Sequence, residues 1–165
     1  MQSYTLACQL VTTVSVEEAF AVFENPYNLA RITPPWLNFQ ILTEDLQMRS
    51  GAEIEYLFRW NGFPLHWKTR ITEYDPPFLF VDEALRSPYK FWRHYHSFRK
   101  TDRGTAVSDV VHYAMPYGLL GRAVHALAVS KQLTNIFEFR QKAIAELLGG
   151  EITDLQAPAI TLRKE

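Results

Sequence analysis

The stretch from residue 90 to residue 113 constrains the fold of this chain more than any other part of the sequence. It reads KFWRHYHSFRKTDRGTAVSDVVHY, two alternating runs that meet at residues 101–104, TDRG. The glycine at this point permits the positive φ of a tight turn, so the stretch predicts an antiparallel hairpin. The turn pairs Lys100 with Thr105, and this register fixes which side chains oppose each other across the two strands.

The inward face of this hairpin is predicted to combine aromatic and ionisable side chains. Side chains alternate between the two faces of a strand, and we place the larger and more apolar set of the second strand inside. Phe98 belongs to the same face. Three opposed pairs follow from the register: Trp92 with Tyr113, His94 with Val111, and His96 with Asp109.

Two earlier strands are predicted to extend this wall. Residues 65–72, LHWKTRIT, alternate apolar with polar side chains, so Trp67 is predicted to point inward. Residues 78–85 form the next predicted strand, and an antiparallel register sets Thr69 near Asp82. The Asp82 carboxylate is then expected on the same wall as the hairpin histidines.

The first forty residues predict one strand and two short helices. Residues 3–11 alternate in the manner of a half-buried strand. Ser15 and Glu18 have the spacing of a capping box, which predicts a helix that begins after Ser15. A second short helix is expected to begin at Pro26. Two more strands are predicted at residues 39–43 and 54–60.

A long helix is predicted for residues 119–148. It carries two apolar stripes rotated about its axis, so it must bend, break or be covered on both faces. Arg140 falls within the second stripe and is expected to pair with an acid, a carbonyl group or solvent at an open end. Residues 149–165 are predicted to be a loose tail, so the domain is placed at residues 1–148. The first stripe consists of Leu120, Ala123, Val124 and Leu127.

Length, charge and cysteine content narrow the class of protein. The 165 residues are enough for one domain, and a formal net charge of -1 gives no reason to expect a nucleic-acid partner. The single cysteine, Cys8, excludes an internal disulfide and fits a reducing cytoplasm. The sequence has no basic leader and no apolar run of membrane-spanning length, so a cytoplasmic location without stable membrane insertion is expected. The oligomeric state is not predicted.

Six segments of the chain form a recognisable set. They are LARITPPWLNF, the strand around Trp67, DPPFLFVDE, SPYKFWRHYHSF, GTAVSDVVHYAMPYG and NIFEFR. These segments resemble the START-like or SRPBCC superfamily, of the polyketide cyclase/dehydrase and lipid-transfer type, and a bacterial group of SRPBCC proteins of uncharacterised function. The resemblance covers residues 1 to about 148.

This resemblance implies an α+β helix-grip fold. Such a fold has a curved antiparallel sheet of about seven strands around a long C-terminal helix, with two short helices after the first strand. A hydrophobic cavity lies between the sheet and the helix. Members of the superfamily bind lipids, steroids or polyketides, and some cyclise aromatic polyketides, so the fold does not specify a reaction.

The function predicted from these features is binding of a small hydrophobic or aromatic molecule in that cavity. Aromatic residues make up 14% of the chain, which supplies apolar wall, and the ionisable groups supply a few orienting contacts. The predicted ligand-binding residues are Trp67, Asp82, Trp92, His94, His96, Phe98, Asp109, Tyr113 and Arg140.

Two alternatives use the same ionisable groups. In the first, His94 or His96 moves a proton with Asp82 or Asp109 fixing its tautomer, as in a cyclase, dehydratase or isomerase. In the second, the Asp-His-Arg network only holds the sheet to the helix. No cofactor and no metal is predicted, because the H-x-H pair lacks a following glutamate. A metal site would have to recruit Asp82 or Asp109 from a neighbouring strand.

Overall fold

An antiparallel sheet dominates the computed structural model, which describes residues 2–60 and 62–163. Within this part of the chain the sheet has eight strands in the order β2-β3-β4-β5-β6-β7-β1-β8. The strands are β1 (Ser3–Thr12), β2 (Gln40–Ile41), β3 (Glu53–Trp60), β4 (Phe63–Asp75), β5 (Leu79–Arg86), β6 (Phe91–Thr101), β7 (Gly104–Ala114) and β8 (Ile152–Arg163).

Two short helices follow β1, as predicted. Helix α1 spans Val16–Glu24, and the Ser15 side chain accepts a hydrogen bond from the Glu18 backbone N–H at 3.2 Å. The Ser15 backbone N–H donates to Glu18 Oε2 at 2.9 Å, which completes the capping box. Helix α2 spans Asn28–Arg31 and is followed by one 3-10 turn at Pro35–Leu37.

The β6–β7 hairpin has the predicted register. Lys100 pairs with Thr105, and the inward pairs are Trp92 with Tyr113, His94 with Val111 and His96 with Asp109. Gly104 has a φ of 120°, and a Cβ atom at this position would overlap the backbone oxygen of Thr12. No side chain fits there, so the glycine is required both for the turn and for the close approach of β1.

The predicted register between β4 and β5 is wrong. Thr69 pairs with Ala84 and not with Asp82, and a register shift follows between Ile71 and Glu73. The prediction placed the turn too early: Asp75 pairs with Leu79, so the turn occupies residues 76–78 and the partners lie farther along β5. Asp82 still faces inward, and the Thr69 hydroxyl donates to its Oδ1 across the diagonal at 3.1 Å.

The long C-terminal helix is continuous but irregular. Helix α3 (Gly118–Val124) passes through a π-helical turn at His125–Val129 into α4 (Ser130–Leu148). The extra residue in this turn rotates the later part of the helix, which accounts for the two displaced apolar stripes. The second stripe packs on the sheet, whereas the first stripe is exposed, with Leu127 85% and Leu120 67% exposed.

The predicted loose tail at residues 149–165 is wrong for residues 152–163, which form β8. This strand pairs antiparallel with β1, from Ser3 opposite Arg163 to Thr12 opposite Ile152. Most of its side chains are exposed, so hydrophobic periodicity does not reveal it. Backbone hydrogen bonding to an existing strand is sufficient to order it. Residues 164 and 165 lie outside the described residues.

The core consists of two hydrophobic clusters with a polar group of residues between them. One cluster joins α1 to the C-terminal half of α4 around Phe20, Phe98 and Ile144. The other lies under the first half of α4 around Trp92 and Phe137. The predicted α+β helix-grip arrangement is confirmed, with eight strands instead of about seven because β8 adds one.

Candidate functional site

Three neighbouring strands bring four ionisable side chains together. His94 and His96 are two residues apart on β6 and therefore point to the same face. His94 pairs with Asp82 on β5, and His96 pairs with Asp109 on β7. The strand order β5-β6-β7 thus puts a carboxylate on each side of the histidine pair.

His96 lies between the two carboxylates. Its Nε2 is 2.9 Å from Asp82 Oδ2, and its Nδ1 is 2.9 Å from Asp109 Oδ1. A neutral imidazole has one N–H and can donate to only one of these oxygens, whereas an imidazolium donates to both. Burial by itself would lower the pKa of His96, but the hydrogen bonds to Asp109 and Asp82 outweigh it and raise that pKa.

His94 has a different environment. Its Nε2 is 2.9 Å from Asp109 Oδ1, while its Nδ1 is 3.8 Å from Asp82 Oδ2. Burial, and then the charge of His96, lower the pKa of His94 to about 4. His94 is therefore neutral at pH 7, with its proton on Nε2 and a lone pair on Nδ1.

Arg140 completes the cluster from α4. Its Nε donates to Asp109 Oδ2 at 3.3 Å, and its guanidinium carbon lies 5.6 Å from the centre of the Phe23 ring. Of the three partners predicted for Arg140, an acid, a carbonyl group or solvent, the structure shows the acid. Burial would raise the pKa of Asp109, but Arg140 and the two histidines hold it well below its ordinary value.

Asp82 is also ionised. Burial would raise its pKa, but the hydrogen bond from His96 and the neighbouring histidine charges lower it. With His96 and Arg140 cationic and Asp82 and Asp109 anionic, the formal charges of the cluster cancel. This balance allows four charged groups to be buried together, because each charge has an opposite partner within hydrogen-bond distance.

A cavity of about 450 Å³ lies between the sheet and the long helix. Its wall is mostly apolar, and the ionisable cluster forms its polar part. Trp67 and Trp92 meet edge to face, with ring centres 5.2 Å apart, and Tyr56 stacks on Trp67. Six of the predicted ligand-binding residues line the cavity: Trp67, Asp82, Trp92, His94, His96 and Arg140.

The other three predicted residues do not line the cavity. Phe98 packs in the cluster around α1, 4.9 Å from Phe23 between ring centres. Tyr113 is fully buried, and its hydroxyl is 2.7 Å from Nε2 of His125. Asp109 lies behind the two histidines. Strand alternation identifies the inward face correctly but not the depth at which each side chain ends.

Sequence reasoning missed the cavity residues on β3, and it expected apolar wall from the long helix without naming the residues that supply it. Tyr56 and Phe58 line the cavity from β3, and Leu133, Ile136 and Phe137 line it from α4. The apolar stripe of α4 was the available signal for the helix residues. The residues of β3 carried no distinguishing pattern, because partly buried aromatic side chains alternate weakly there.

His125 was also missed. It is buried in the π-helical turn, where its ring stacks on Tyr4 with centres 3.7 Å apart.

None of the helices in the described part of the chain has both the length and the apolar character needed to cross a membrane.

Most of this chain matches a known protein family. Residues 12–137 match the family model described as polyketide cyclase / dehydrase and lipid transport. A search of curated proteins found no match.

Solved structures with similar folds come from diverse sources. TTHA0849 from Thermus thermophilus superposes with a TM-score of 0.70 at 12% identity, covering 87% of this chain and 96% of that one. Ms6760 from Mycobacterium smegmatis gives 0.64 at 19% identity, with coverages of 88% and 90%. Ara h 8.0201 gives 0.60 at 13% identity, with coverages of 87% and 99%. At such identities the likeness shows the fold alone.

Proposed function

This chain belongs to the polyketide cyclase/dehydrase and lipid transport family, and we propose on that basis that it binds a small hydrophobic, largely aromatic molecule. The molecule occupies the cavity between the sheet and the long helix. The observation that carries the proposal is the cavity itself, about 450 Å³ in volume, with an apolar wall and one group of polar side chains. Such a combination is typical of small-molecule sites.

The wall favours a flat, aromatic ligand over a flexible chain. Trp67 and Trp92 meet at an angle of 87°, so they present two perpendicular surfaces. Tyr89 adds a third ring, 4.8 Å from Trp92 between centres. Aromatic rings prefer edge-to-face and offset contacts with one another, and each such contact contributes about 0.5–1.5 kcal/mol beyond its buried area.

The ionisable cluster is suited to orienting one polar end of the ligand. His94 Nδ1 carries a lone pair that can accept a hydrogen bond, and the Arg140 guanidinium has N–H groups left after its bond to Asp109. A hydroxyl or carbonyl group at one end of the molecule would find both kinds of partner on this wall. Because the cluster is neutral overall, a neutral ligand is favoured over a charged one.

Native mass spectrometry of the purified protein tests the proposal. We expect a mass excess under native conditions that disappears on denaturation, and an aromatic compound in the organic extract. Chelator-treated protein is used, so that a metal ion does not contribute. A chain that carries no extra mass and also binds no compound from an aromatic ligand library would contradict the proposal.

Two tryptophan substitutions provide a matched comparison. Ile136 lines the cavity on α4, whereas Leu119 is 78% exposed and does not line it. Ile136→Trp should fill part of the cavity and lower ligand affinity at least tenfold. Leu119→Trp should leave affinity unchanged. Equal affinity in both variants would place the ligand outside this cavity.

The second candidate function is acid–base catalysis in the same cavity. The observation that favours it is the position of His96 between Asp82 and Asp109, which supplies a cationic proton donor at the cavity wall. A proton donor of this kind can catalyse cyclisation, dehydration or isomerisation of a polyketide-like compound. If the extracted compound is converted by the protein, His96→Gln should abolish turnover and retain binding; a carrier would return the compound unchanged.

A further inference from the structure

We infer that Asp82, His94 and His96 form a binding site for one divalent first-row transition-metal cation at the cavity wall. One carboxylate oxygen and two imidazole nitrogens are available, and these three atoms lie within 4.8 Å of one another. Imidazole together with carboxylate is a ligand set that suits zinc, iron and their neighbours. The inference concerns the ion alone and does not depend on the organic ligand proposed above.

The distances between the ligand atoms are close to those of a coordinated ion. Asp82 Oδ2 is 2.9 Å from His96 Nε2 and 3.8 Å from His94 Nδ1. Ligand atoms about 2.1 Å from a tetrahedral zinc ion lie roughly 3.4 Å apart, between these two values. The spacing of the three atoms is therefore close to the spacing around a bound ion.

The partners of these three residues are those that metal ligands need. A ligating histidine usually donates its second ring N–H to a carboxylate, which fixes the tautomer and the ring orientation. Asp109 Oδ1 is 2.9 Å from His94 Nε2 and 2.9 Å from His96 Nδ1, so it accepts from both rings. When a metal ion displaces the proton on His96 Nε2, both remaining ring nitrogens present lone pairs on the Asp82 side.

The carboxylates are held as well. The Thr69 hydroxyl is 3.1 Å from Asp82 Oδ1 and 2.9 Å from the Glu83 backbone oxygen, so its one proton is shared between these acceptors and Asp82 Oδ2 is left as the ligand atom. Arg140 donates to Asp109 Oδ2 and keeps that carboxylate ionised for the two histidines. Both carboxylates thus have a partner on the oxygen that faces away from the ion.

Charge and access also fit a cation. Asp82 Oδ2 and His96 Nε2 are 2.9 Å apart. Two lone pairs at this distance repel each other, so either a proton or a metal ion must lie between the two atoms. Asp82, His94 and His96 all line the cavity. Three protein ligands leave at least one coordination position open on the cavity side, as in catalytic rather than structural sites.

Zinc retention tests the inference. The protein is stripped with a chelator, loaded with excess Zn²⁺, passed through a desalting column and measured for metal content. We expect one zinc per chain in the natural sequence. Asp82→Asn and His96→Asn should each weaken zinc binding at least tenfold, and Asp109→Asn should do so about 10–100-fold. His66→Asn, on an exposed face of β4, is the control and should bind like the natural sequence.

Imidazole nitrogen NMR of the natural sequence gives a second test that needs no variant to fold. Zinc should shift two of the histidine ring nitrogens, Nδ1 of His94 and Nε2 of His96, and leave their other nitrogens protonated. The remaining three of the five histidines should not respond. No retained zinc, zinc whose affinity Asp82→Asn and His96→Asn leave unchanged, or shifts at other histidines would each overturn the inference. Binding of an organic molecule is tested separately on chelator-stripped protein, so none of these outcomes decides that proposal.

Discussion

Arg140 is a single residue on which the whole polar cluster depends. It lies on the apolar stripe of α4 and is only 8% exposed, yet it carries a permanent charge. Its contact with Asp109 explains this position, because Asp109 in turn accepts from both histidines. Removal of the guanidinium would take away the positive charge that does most to lower the pKa of the Asp109 carboxyl group.

Arg140→Met should therefore be strongly destabilising. The side chains are similar in length, so the main change is one uncompensated negative charge in the buried cluster, which costs about 3–5 kcal/mol. Urea denaturation at pH 7 measures this loss as a decrease in the free energy of unfolding.

The double variant Arg140→Met with Asp109→Asn is the control for that result. In this control Asp109 is best replaced by asparagine instead of leucine, because Asp109→Asn removes the charge and keeps an oxygen that accepts from the histidine rings. The double variant should recover at least half of the lost stability, since no uncompensated carboxylate is left. A single variant within about 1 kcal/mol of the natural sequence would show that the ion pair contributes little.

At this scale the sequence predicts the composition of the polar cluster but not its geometry. The turn at Gly104 is sufficient to pair His96 with Asp109, because a two-strand register is a local property. Phe98 and Tyr113 end away from the cavity because of the positions at which α4 and His125 pack. This is a property of the tertiary structure that no local pattern encodes.

The irregular helix is the element whose shape most affects the cavity. The π-helical turn at His125–Val129 directs His125 inward, where it stacks on Tyr4 and bonds to the Tyr113 hydroxyl. The two displaced stripes in the sequence indicated that the helix could not be regular along its whole length. They did not indicate that the first stripe would be exposed.

Burial of His125 makes the stability of the folded chain depend on pH. Burial lowers the pKa of this histidine, so the folded chain keeps the ring neutral where the unfolded chain begins to protonate it. Below about pH 6.5 the unfolded state binds more protons, and stability falls with falling pH.

His125→Gln should remove this contribution. The stability advantage of the natural sequence over the variant should shrink as the pH is lowered from about 7.5 to about 5.5, on either side of the ordinary histidine pKa. Urea denaturation across this range measures it, with the exposed His66→Gln as control. If the difference in unfolding free energy between the natural sequence and the variant stays constant with pH, the pKa of His125 is the same in the folded and unfolded states.

At the scale of the whole molecule, β8 forms one edge of the sheet. It covers the free edge of β1, and a bulge opposite Cys8 places Pro158 within it. Proline and bulges on an edge strand discourage pairing with another chain. Gln141 on α4 ties the helix to both strands, since its amide donates to the backbone oxygens of Gln9 and Gln156.

Deletion of residues 150–165 should therefore increase self-association. The β1 edge would be exposed with its backbone groups unpaired, which is a template for pairing with a second copy. Size-exclusion chromatography with light scattering, over a range of concentrations, measures the change relative to the full chain.

The full chain with Leu155→Ser and Leu162→Ser is the matched control. Both side chains are exposed on β8, so the double variant loses apolar surface but keeps the backbone pairing. It should associate no more than the natural sequence. A deletion variant that behaves in the same way would show that β8 does not protect the edge.

The general architecture was predictable because alternation, a capping box and a long apolar helix all agree with one fold. The last strand was not predictable, because its order comes from backbone pairing with β1 rather than from buried side chains. The cavity volume was also outside the reach of sequence, since it depends on how far α4 stands from the sheet.

The pairing of β1 has a consequence for protein synthesis in the cell. Its partners are β7 and β8, both of which follow it by more than ninety residues in the sequence. At about 5–20 residues per second, the ribosome needs roughly 5–20 s to produce β7 after β1. Throughout this interval the apolar side of β1, with Leu6 and Leu10, has no sheet to join and is available to chaperones. Proteolysis of ribosome-bound chains stalled before and after residue 114 should show β1 becoming protected only in the longer chain.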